Sequence, residues 1–196
     1  MYFQQLSTAI FFTVFSIVCA SAQNNRNSID SSRFNGLVNT IIVLDGKMIF
    51  GRSFNAYNIQ ERRGIIRLNA DGIVDNSFAI GGGFSGEVNA VALHHNGKLK
   101  VGGGFTNYDG ASCNKMACLN GDGTLDNSFG GETGFDTKGH GGALVSTIAL
   151  TPDVNILAAG IYKSYDSELR NNITELDKNG KFIKTFLHEL KIFRQQ

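Results

Sequence analysis

The sequence repeats itself at a constant spacing. The stretch LNADGIVDNSF at residues 68–78 returns as LNGDGTLDNSF at residues 119–129, with eight of eleven letters identical at an offset of 51. Extending the match outward gives three repeats, which span residues 36–78, 86–129 and, less regularly, 142–186. A period near 50 residues is typical of propellers and solenoids, in which one repeat cannot bury both of its faces alone.

Each repeat has the pattern of four short antiparallel strands. In the second repeat these are VNAVAL, KLKVGGGF, KMACLN and TLDNSF, with a tight turn at Asn96–Gly97 and the loop TNYDGAS before the third strand. No segment before residue 180 shows an apolar stripe of helical period. The sequence therefore predicts an all-β fold of repeated four-stranded blades, a partial or oligomer-completed β-propeller.

Three recurring sets of residues are expected to join the blades and to shape their last turn. The leucines at the same position of each repeat should pack between blades, and the Asn/Asp and Gly positions that follow should shape the last turn. These sets are Leu68, Leu119 and Leu176; Asn69, Asn120 and Asp177; and Gly72, Gly123 and Gly180.

The second repeat, VNAVALHHNGKLKVGGGFTNYDGASCNKMACLNGDGTLDNSF, resembles the delta-60 repeat, a β-propeller-type repeat of predicted exported bacterial proteins. The linked features are V-N-x-[IV], a D/N-G-K turn, G-G-x-F-T and L-N-x-D-G-x-[LV]-D-x-S-F. The resemblance extends from Phe34 to about Phe186, although the third repeat loses the aspartate found at Asp75 and Asp126. It implies a propeller fold and an extracellular setting, and it brings no catalytic residues with it.

Three repeats are fewer than the four to eight blades of closed propellers. Residues 23–35 form an N-terminal segment in which SIDSSRF resembles a collapsed LDNSF ending, so it is a candidate closing strand. A six-bladed ring made by self-association, an open array and a truncated gene product are the alternatives. The tail at residues 187–196 shows no further repeat, and a short helix or a strand covering an open edge would fit it.

Residues 1–22 have the pattern of a cleavable signal peptide. An apolar run at Ala9–Ala20 is shorter than the roughly 20 residues of a membrane span, and Ala20-Ser21-Ala22 predicts cleavage after Ala22. The preceding residues lack Lys and Arg, so an uncleaved anchor or a buried strand is the alternative; the bulky Val18 disfavours a lipid anchor on Cys19. We expect a secreted, periplasmic or cell-surface protein without a membrane span in the mature chain.

The net charge argues against nucleic-acid binding, and the spacing of the cysteines argues against a disulfide between them. The formal net charge is +1 and no dense run of Lys or Arg occurs, which argues against nucleic acid as a partner. Cys113 and Cys118 are five residues apart, so on an extended chain their Cα atoms would be separated by roughly 16 Å. A disulfide needs a separation below about 7 Å, and the sequence therefore predicts two free thiols.

Three patterns that could bind a cofactor or metal have simpler explanations. GGGFSG at Gly81–Gly86 satisfies the dinucleotide pattern G-x-G-x-x-G, but it leads into a predicted strand and not into a helix. The adjacent His94 and His95 lie at a hairpin tip, where we expect a solvated turn. His140 and His188 have no evident partner in the sequence.

The oxygen-rich turns could in principle hold calcium, which prefers six to eight oxygen ligands. Their residues are Asn69, Asp71 and Asp75 in the first repeat and Asn120, Asp122 and Asp126 in the second. Neither turn matches the EF-hand register, and turn chemistry alone explains the residue types. We therefore assign no catalytic, cofactor-binding or metal-binding residue and no cofactor.

The loops between the second and third strands carry aromatic residues at Tyr57-Asn58 and Tyr108-Asp109-Gly110. Exposed aromatics on loops of a rigid scaffold are plausible contact points, but shaping the loop explains them equally well. The sequence predicts a non-catalytic binding or structural module at the cell surface, with an unknown protein or carbohydrate ligand and with homo-oligomer formation left open. The alternatives are a propeller enzyme with its site on the loop face, and a non-functional fragment of a longer repeat protein.

Overall fold

The computed structural model describes residues 34–51, 53–130, 134–139 and 142–183, which consist of strands, turns and loops without a helix. The predicted all-β fold is therefore confirmed. The predicted signal peptide, most of the predicted closing segment and the C-terminal tail lie outside the described residues.

Each repeat contains a three-stranded antiparallel sheet and a short hairpin. The hairpin has two strands in repeats 1 and 2, and in repeat 3 a strand that lies just before residue 142 extends it to three strands. Repeat 1 has β1 (Thr40–Leu44), β2 (Lys47–Gly51), β3 (Ala56–Tyr57), β4 (Gln60–Glu61) and β5 (Ile65–Leu68). Repeat 2 has β6 (Val88–Leu93), β7 (Leu99–Gly103), β8 (Asn107–Tyr108), β9 (Ala111–Ser112) and β10 (Met116–Leu119). Repeat 3 has β11 (Phe135–Asp136), β12 (Leu144–Leu150), β13 (Ile156–Ile161), β14 (Ser164–Tyr165), β15 (Glu168–Leu169) and β16 (Ile173–Leu176). The sheets are ordered β1-β2-β5, β6-β7-β10 and β12-β13-β16.

The predicted fourth strand is reduced to a single bridge in each repeat. Leu68 pairs with Val74, and Leu119 pairs with Leu125 in the same way. One residue later the chain turns, because the Phe129 amide donates to the carbonyl of Asp126. This turn ends the pairing, so the predicted fourth strand of each repeat is limited to one bridge in the described residues.

Phe34 belongs to the sheet system of repeat 1. It is bridged to Tyr57, as Phe84 is bridged to Tyr108. Phe135 pairs with Tyr165 at the corresponding position of repeat 3. Phe34 thus takes the place of Phe84 and not that of Phe78 at the end of a repeat. Residues 23–33 lie outside the described part of the chain, and the closing strand there stays a prediction.

The repeats pack face to face, and each has one side facing the preceding repeat (the N-facing side) and one facing the next (the C-facing side). A methyl group built on Gly51 would lie 2.7 Å from Cγ1 of Val88, so repeat 2 presses closely on the C-facing side of repeat 1. Gly102 meets Val145 of repeat 3 in the same way, with a built methyl group at 2.6 Å. Glycine at these two positions permits the close approach of consecutive repeats.

The turn residues behave as predicted, and so do two of the three leucines, whereas Leu68 packs within repeat 1. Leu68, Leu119 and Leu176 are fully buried, and the latter two belong to apolar clusters that span repeats 1 and 2 and repeats 2 and 3. In the last turn of repeat 2 the Gly123 amide donates to the Asn120 carbonyl, and Gly123 has a φ of 91°. The corresponding bonds form in the other two repeats, which confirms the role of these residues in the turn.

Candidate functional site

The hairpin tyrosines are buried side chains that hold the turns in place. Tyr108 is 1% exposed, and its hydroxyl donates a hydrogen bond of 2.6 Å to the carbonyl oxygen of Gly123. Tyr57 donates to Gly72 at 3.0 Å, and Tyr165 donates to the matching glycine of repeat 3. The expectation of exposed aromatics at the loop tips was wrong, because the short hairpins fold the rings back onto the sheets. Loop shaping is the role that the structure supports.

A buried cation crosses each boundary between repeats. Arg67 on β5 donates to the carbonyl of Gly121 in repeat 2, and its guanidinium lies 4.6 Å from the ring centre of Phe78. At the next boundary Lys100 on β7 donates to the carbonyl of Lys178 at 2.8 Å. Its ammonium lies 3.9 Å from the ring centre of Phe129.

The cation comes from a different strand in the two repeats. Ile49 pairs with Arg67 across β2 and β5, whereas Lys100 pairs with Cys118 across β7 and β10. The apolar and the charged member of the cross-strand pair are therefore exchanged. The charged group nevertheless reaches the same carbonyl position of the following repeat. Burial lowers the pKa of Lys100, opposed by the nearby Cys118 thiol.

The aspartate of the LDNSF motif pairs with the lysine of the D/N-G-K turn. Lys47 lies 2.6 Å from Asp75, and Lys98 lies 2.7 Å from Asp126. Burial raises the pKa of Asp126, but hydrogen bonds from Lys98 and Ser128 outweigh it and bring the pKa to about 2. Repeat 3 lacks this pair, since the matching positions are Asn155 and Ile183.

A cleft of about 420 Å³ lies between repeats 2 and 3. Hydroxyl and amide side chains, the strand β10 and neighbouring apolar groups line it. The lining residues are Thr106, Ser112, Cys113, Asn114, Met116, Ala117, Cys118, Leu125, Asp126, Asn127, Phe129, Gly130, Gly134 and Tyr165. A volume of this size falls within the range of small-molecule sites.

Two positions that line this cleft carry smaller side chains than the matching positions of repeat 1. Cys113 and Cys118 stand where repeat 1 has Arg62 and Arg67. In repeat 1 the Arg62 guanidinium reaches the side-chain oxygen of Asn76 at 3.4 Å, and the Arg67 guanidinium bonds Ser77. The cleft between repeats 2 and 3 is thus lined by smaller side chains at these two positions. A separate cavity of about 450 Å³, lined by residues that include Phe54, Arg63 and Phe84, lies at the boundary between repeats 1 and 2.

The ionisable groups of the cleft are held in fixed charge states. Burial raises the pKa of Cys113 to about 12 and also raises that of Cys118, so both thiols are protonated near neutral pH. Both are free thiols, as predicted. Asp126 is ionised at the same pH and is engaged by Lys98. The cleft therefore offers hydrogen-bonding groups without a thiolate nucleophile.

His94 differs from its predicted environment. The side chain is 3% exposed, and its Nδ1 lies 2.7 Å from the side-chain oxygen of Asn96. The Nε2 atom is buried without a hydrogen-bond partner, and the ring lies 4.2 Å from that of the exposed His95. The expected solvated turn is thus wrong for His94, because the five-residue loop after β6 folds the ring inward. His140 and His188 lie outside the described residues.

The remaining candidate motifs serve local structure. Within Gly81–Gly86, the amide of Gly82 donates to the carboxylate of Asp109 at 2.7 Å, and the segment leads into the strand β6. Asp71 and Asp122 each accept a bond from the backbone amide two residues later. No group of three or more His, Cys, Asp or Glu side chains that could hold a metal ion occurs within the described ranges.

The comparisons with known proteins support the repeat assignment. A family model described as "Domain of unknown function (DUF5122) beta-propeller", a delta-60-type repeat family, matches residues 44–78 and 95–129. These two stretches cover the turns, hairpins and final segments of repeats 1 and 2, so the resemblance to the delta-60 repeat is confirmed. No curated protein and no solved structure matches the chain. In the part of the chain that the structure describes, no helix has the length and apolar character needed to cross a membrane.

Proposed function

We propose that the chain, in which residues 44–78 and 95–129 match the DUF5122 β-propeller family model, is an exported, non-catalytic module that binds a carbohydrate in the cleft between repeats 2 and 3. The observation that carries this proposal is the cleft itself. Two of its lining residues, Cys113 and Cys118, stand where repeat 1 has the larger side chains of Arg62 and Arg67.

The lining favours a neutral polar ligand. Thr106 and Ser112 contribute hydroxyl groups, and Asn114 and Asn127 contribute amides, each of which can donate and accept hydrogen bonds. The carboxylate of Asp126 is engaged by Lys98 and Ser128. Met116 and Leu125 add apolar surface. A sugar combines hydroxyl groups with apolar C–H faces, and it matches this mixture better than an anion or a purely apolar molecule does.

The charge states of the cleft support binding in preference to catalysis. A nucleophilic cysteine requires a lowered pKa, whereas the pKa values of both lining thiols are raised. A general acid or base works best with a pKa near the operating pH, whereas that of Asp126 is about 2.

Export is supported by residues 1–22. Their apolar run and the Ala20-Ser21-Ala22 site have the pattern of a secretory leader, and the delta-60 resemblance implies an extracellular setting. Expression of the full chain in a bacterial host with a periplasm tests this part. We expect a periplasmic product whose mass begins at Gln23. A cytoplasmic product that retains Met1 would contradict export.

Carbohydrate binding is tested with a printed panel of neutral and acidic oligosaccharides, probed with the full chain. We expect retention on neutral sugars. The variant Cys113→Arg gives repeat 2 the side chain that Arg62 provides in repeat 1, so it should fill the cleft and reduce binding by about 10-fold or more. Ser112→Ala removes one hydroxyl group and should weaken binding less.

A matched control carries the same added charge at another site. Gln60→Arg lies on the exposed strand β4 of repeat 1 and should leave binding unchanged. Far-UV circular dichroism verifies that each variant keeps its β structure. The proposal fails if the panel retains no protein, or if folded Cys113→Arg and Ser112→Ala bind as well as the unaltered chain does.

A further inference from the structure

Apolar side chains are exposed on the outer sides of repeats 1 and 3. The equivalent side chains of the other repeats are packed at the internal boundaries. On the N-facing side of repeat 1, Ile41 is 60% exposed and Val43 is 41% exposed. Val91 and Leu93 hold the same positions in repeat 2, where they pack against the cluster that joins repeats 1 and 2. The exposed pair on β1 thus repeats one half of an interface that the chain forms internally.

The opposite end exposes the other half. On the C-facing side of repeat 3, Ile161 is 59% exposed and Ile173 is 37% exposed. Ile173 occupies the position of Ile65 in repeat 1 and Met116 in repeat 2, both of which are buried against the following repeat. Both halves of the repeat-to-repeat interface are therefore present on one molecule without a described partner.

We propose that these two sides dock against each other between two copies of the chain, the N-facing side of repeat 1 of one copy on the C-facing side of repeat 3 of the other. The interface continues the packing already seen at the boundaries between consecutive repeats. Two copies bring six described repeats together, within the four to eight blades of closed propellers. Two such contacts related by a twofold axis close the ring, whereas a head-to-tail contact that did not close would produce filaments.

Two residues make this contact differ from the internal ones. Ala159 stands where repeats 1 and 2 have Gly51 and Gly102. Its methyl group lies at the position that the two glycines leave open for Val88 and Val145 at the internal boundaries. Glu175 stands at the position of Arg67 and is bonded by the Asn155 amide at 2.9 Å. The contact between copies consequently lacks the buried cation and is looser than the internal boundaries.

The test is the mass of the full mature chain in solution, measured by sedimentation equilibrium over a range of concentrations. We expect twice the mass of one chain. Ile41→Asp and Ile173→Asp should each give single chains, because each substitution places a charge on one side of both contacts. Ile59→Asp is the control, since Ile59 is fully exposed at the β3–β4 hairpin tip, away from both sides.

Mixing the two variants distinguishes head-to-tail docking from contact between like sides. The Ile41→Asp chain keeps an intact C-facing side and the Ile173→Asp chain keeps an intact N-facing side. Their equimolar mixture should therefore regain association that neither variant shows alone. Ala159→Gly should strengthen association about 5-fold or more, because it removes the methyl group from the contact.

Three results would overturn the proposal. The first is an unaltered chain that stays single at all concentrations. The second is an Ile173→Asp chain that still pairs, which would indicate contact between two N-facing sides. The third is a chain that is single until residues 187–196 are removed, which would indicate that its own tail covers repeat 3.

Discussion

The Tyr108 hydroxyl donates a hydrogen bond of 2.6 Å to the carbonyl oxygen of Gly123, which lies fifteen residues later in the chain. The same bond joins Tyr57 to Gly72 in repeat 1. It connects the base of the β8–β9 hairpin to the last turn of the repeat, which packs on the preceding repeat. Through this bond, one hairpin residue helps to fix the boundary between two repeats.

Replacing Tyr108 by Phe should destabilise the protein without changing its fold. The substitution leaves the buried carbonyl of Gly123 without its donor, and we expect a loss of about 1–3 kcal/mol in the free energy of unfolding. Urea unfolding followed by circular dichroism measures this loss. Asn127→Ala, at an exposed position, serves as the control. An unchanged urea midpoint for Tyr108→Phe would show that the hydroxyl contributes nothing to stability.

The exchanged cation at the two boundaries predicts a compensating pair of substitutions. Lys100→Ile removes the bond to the Lys178 carbonyl and should cost about 2 kcal/mol. Cys118→Arg alone places two cations in one buried site and should also destabilise. The double variant reproduces the Ile49–Arg67 arrangement of repeat 1 and should recover at least half of the loss. Strictly additive losses in the double variant would contradict the equivalence of the two arrangements.

The Lys98–Asp126 pair predicts a dependence of stability on acidity. The pKa of Asp126 is lowered from 3.8 to about 2 in the folded protein. Its stabilising contribution is therefore fully present above pH 3.8 and is lost as the pH falls from there to about 2. Asp126→Asn should lower the urea midpoint at pH 7, and its curve should meet that of the unaltered chain near pH 2.

The exposed Asp153 provides the matched control for that experiment. Asp153→Asn should follow the unaltered chain throughout the acid range. If Asp126→Asn did the same, the ion pair would contribute nothing to folding.

His94 predicts a loss of stability at a higher pH. Burial lowers the pKa of this side chain below 6.5, and His95, Lys100 and Lys178 lower it further, against the bond to Asn96. Below pH 6.5 the unfolded chain binds a proton at His94 that the folded chain does not bind, so stability falls as the pH decreases towards the folded pKa. His94→Gln should remove this part of the pH dependence. An unchanged slope between pH 7 and 5 in that variant would contradict the assignment.

Local turn chemistry accounts for what the sequence predicted well. The Asn120–Gly123 turn and its counterparts are determined by residues a few positions apart, and the buried leucine before each turn ends a short strand. Such patterns are visible in one repeat and are reinforced by the next. The sequence did not show that the fourth strand is limited to one bridge, because the same residue types occur in a strand and in a turn that begins one residue later.

Contacts between distant residues account for what the sequence did not predict. Tyr57 and Tyr108 are buried because two-residue hairpins fold them back, and His94 is buried because a five-residue loop turns inward. The cleft is lined by Cys113 and Cys118 at positions where repeat 1 has arginines. Aligning the repeats residue by residue would have shown that difference in size, but nothing in the second repeat alone indicates an empty space.

The measurement that tests the binding cleft most directly is a titration of the ¹⁵N-labelled mature chain with the neutral oligosaccharide best retained on the panel, followed by amide chemical shifts. We predict saturable shifts at Ser112, Asn114 and Asn127, and none at the matching Glu61, Arg63 and Asn76 of repeat 1. Shifts confined to repeat 1, or an unchanged spectrum at saturating sugar, would contradict the account.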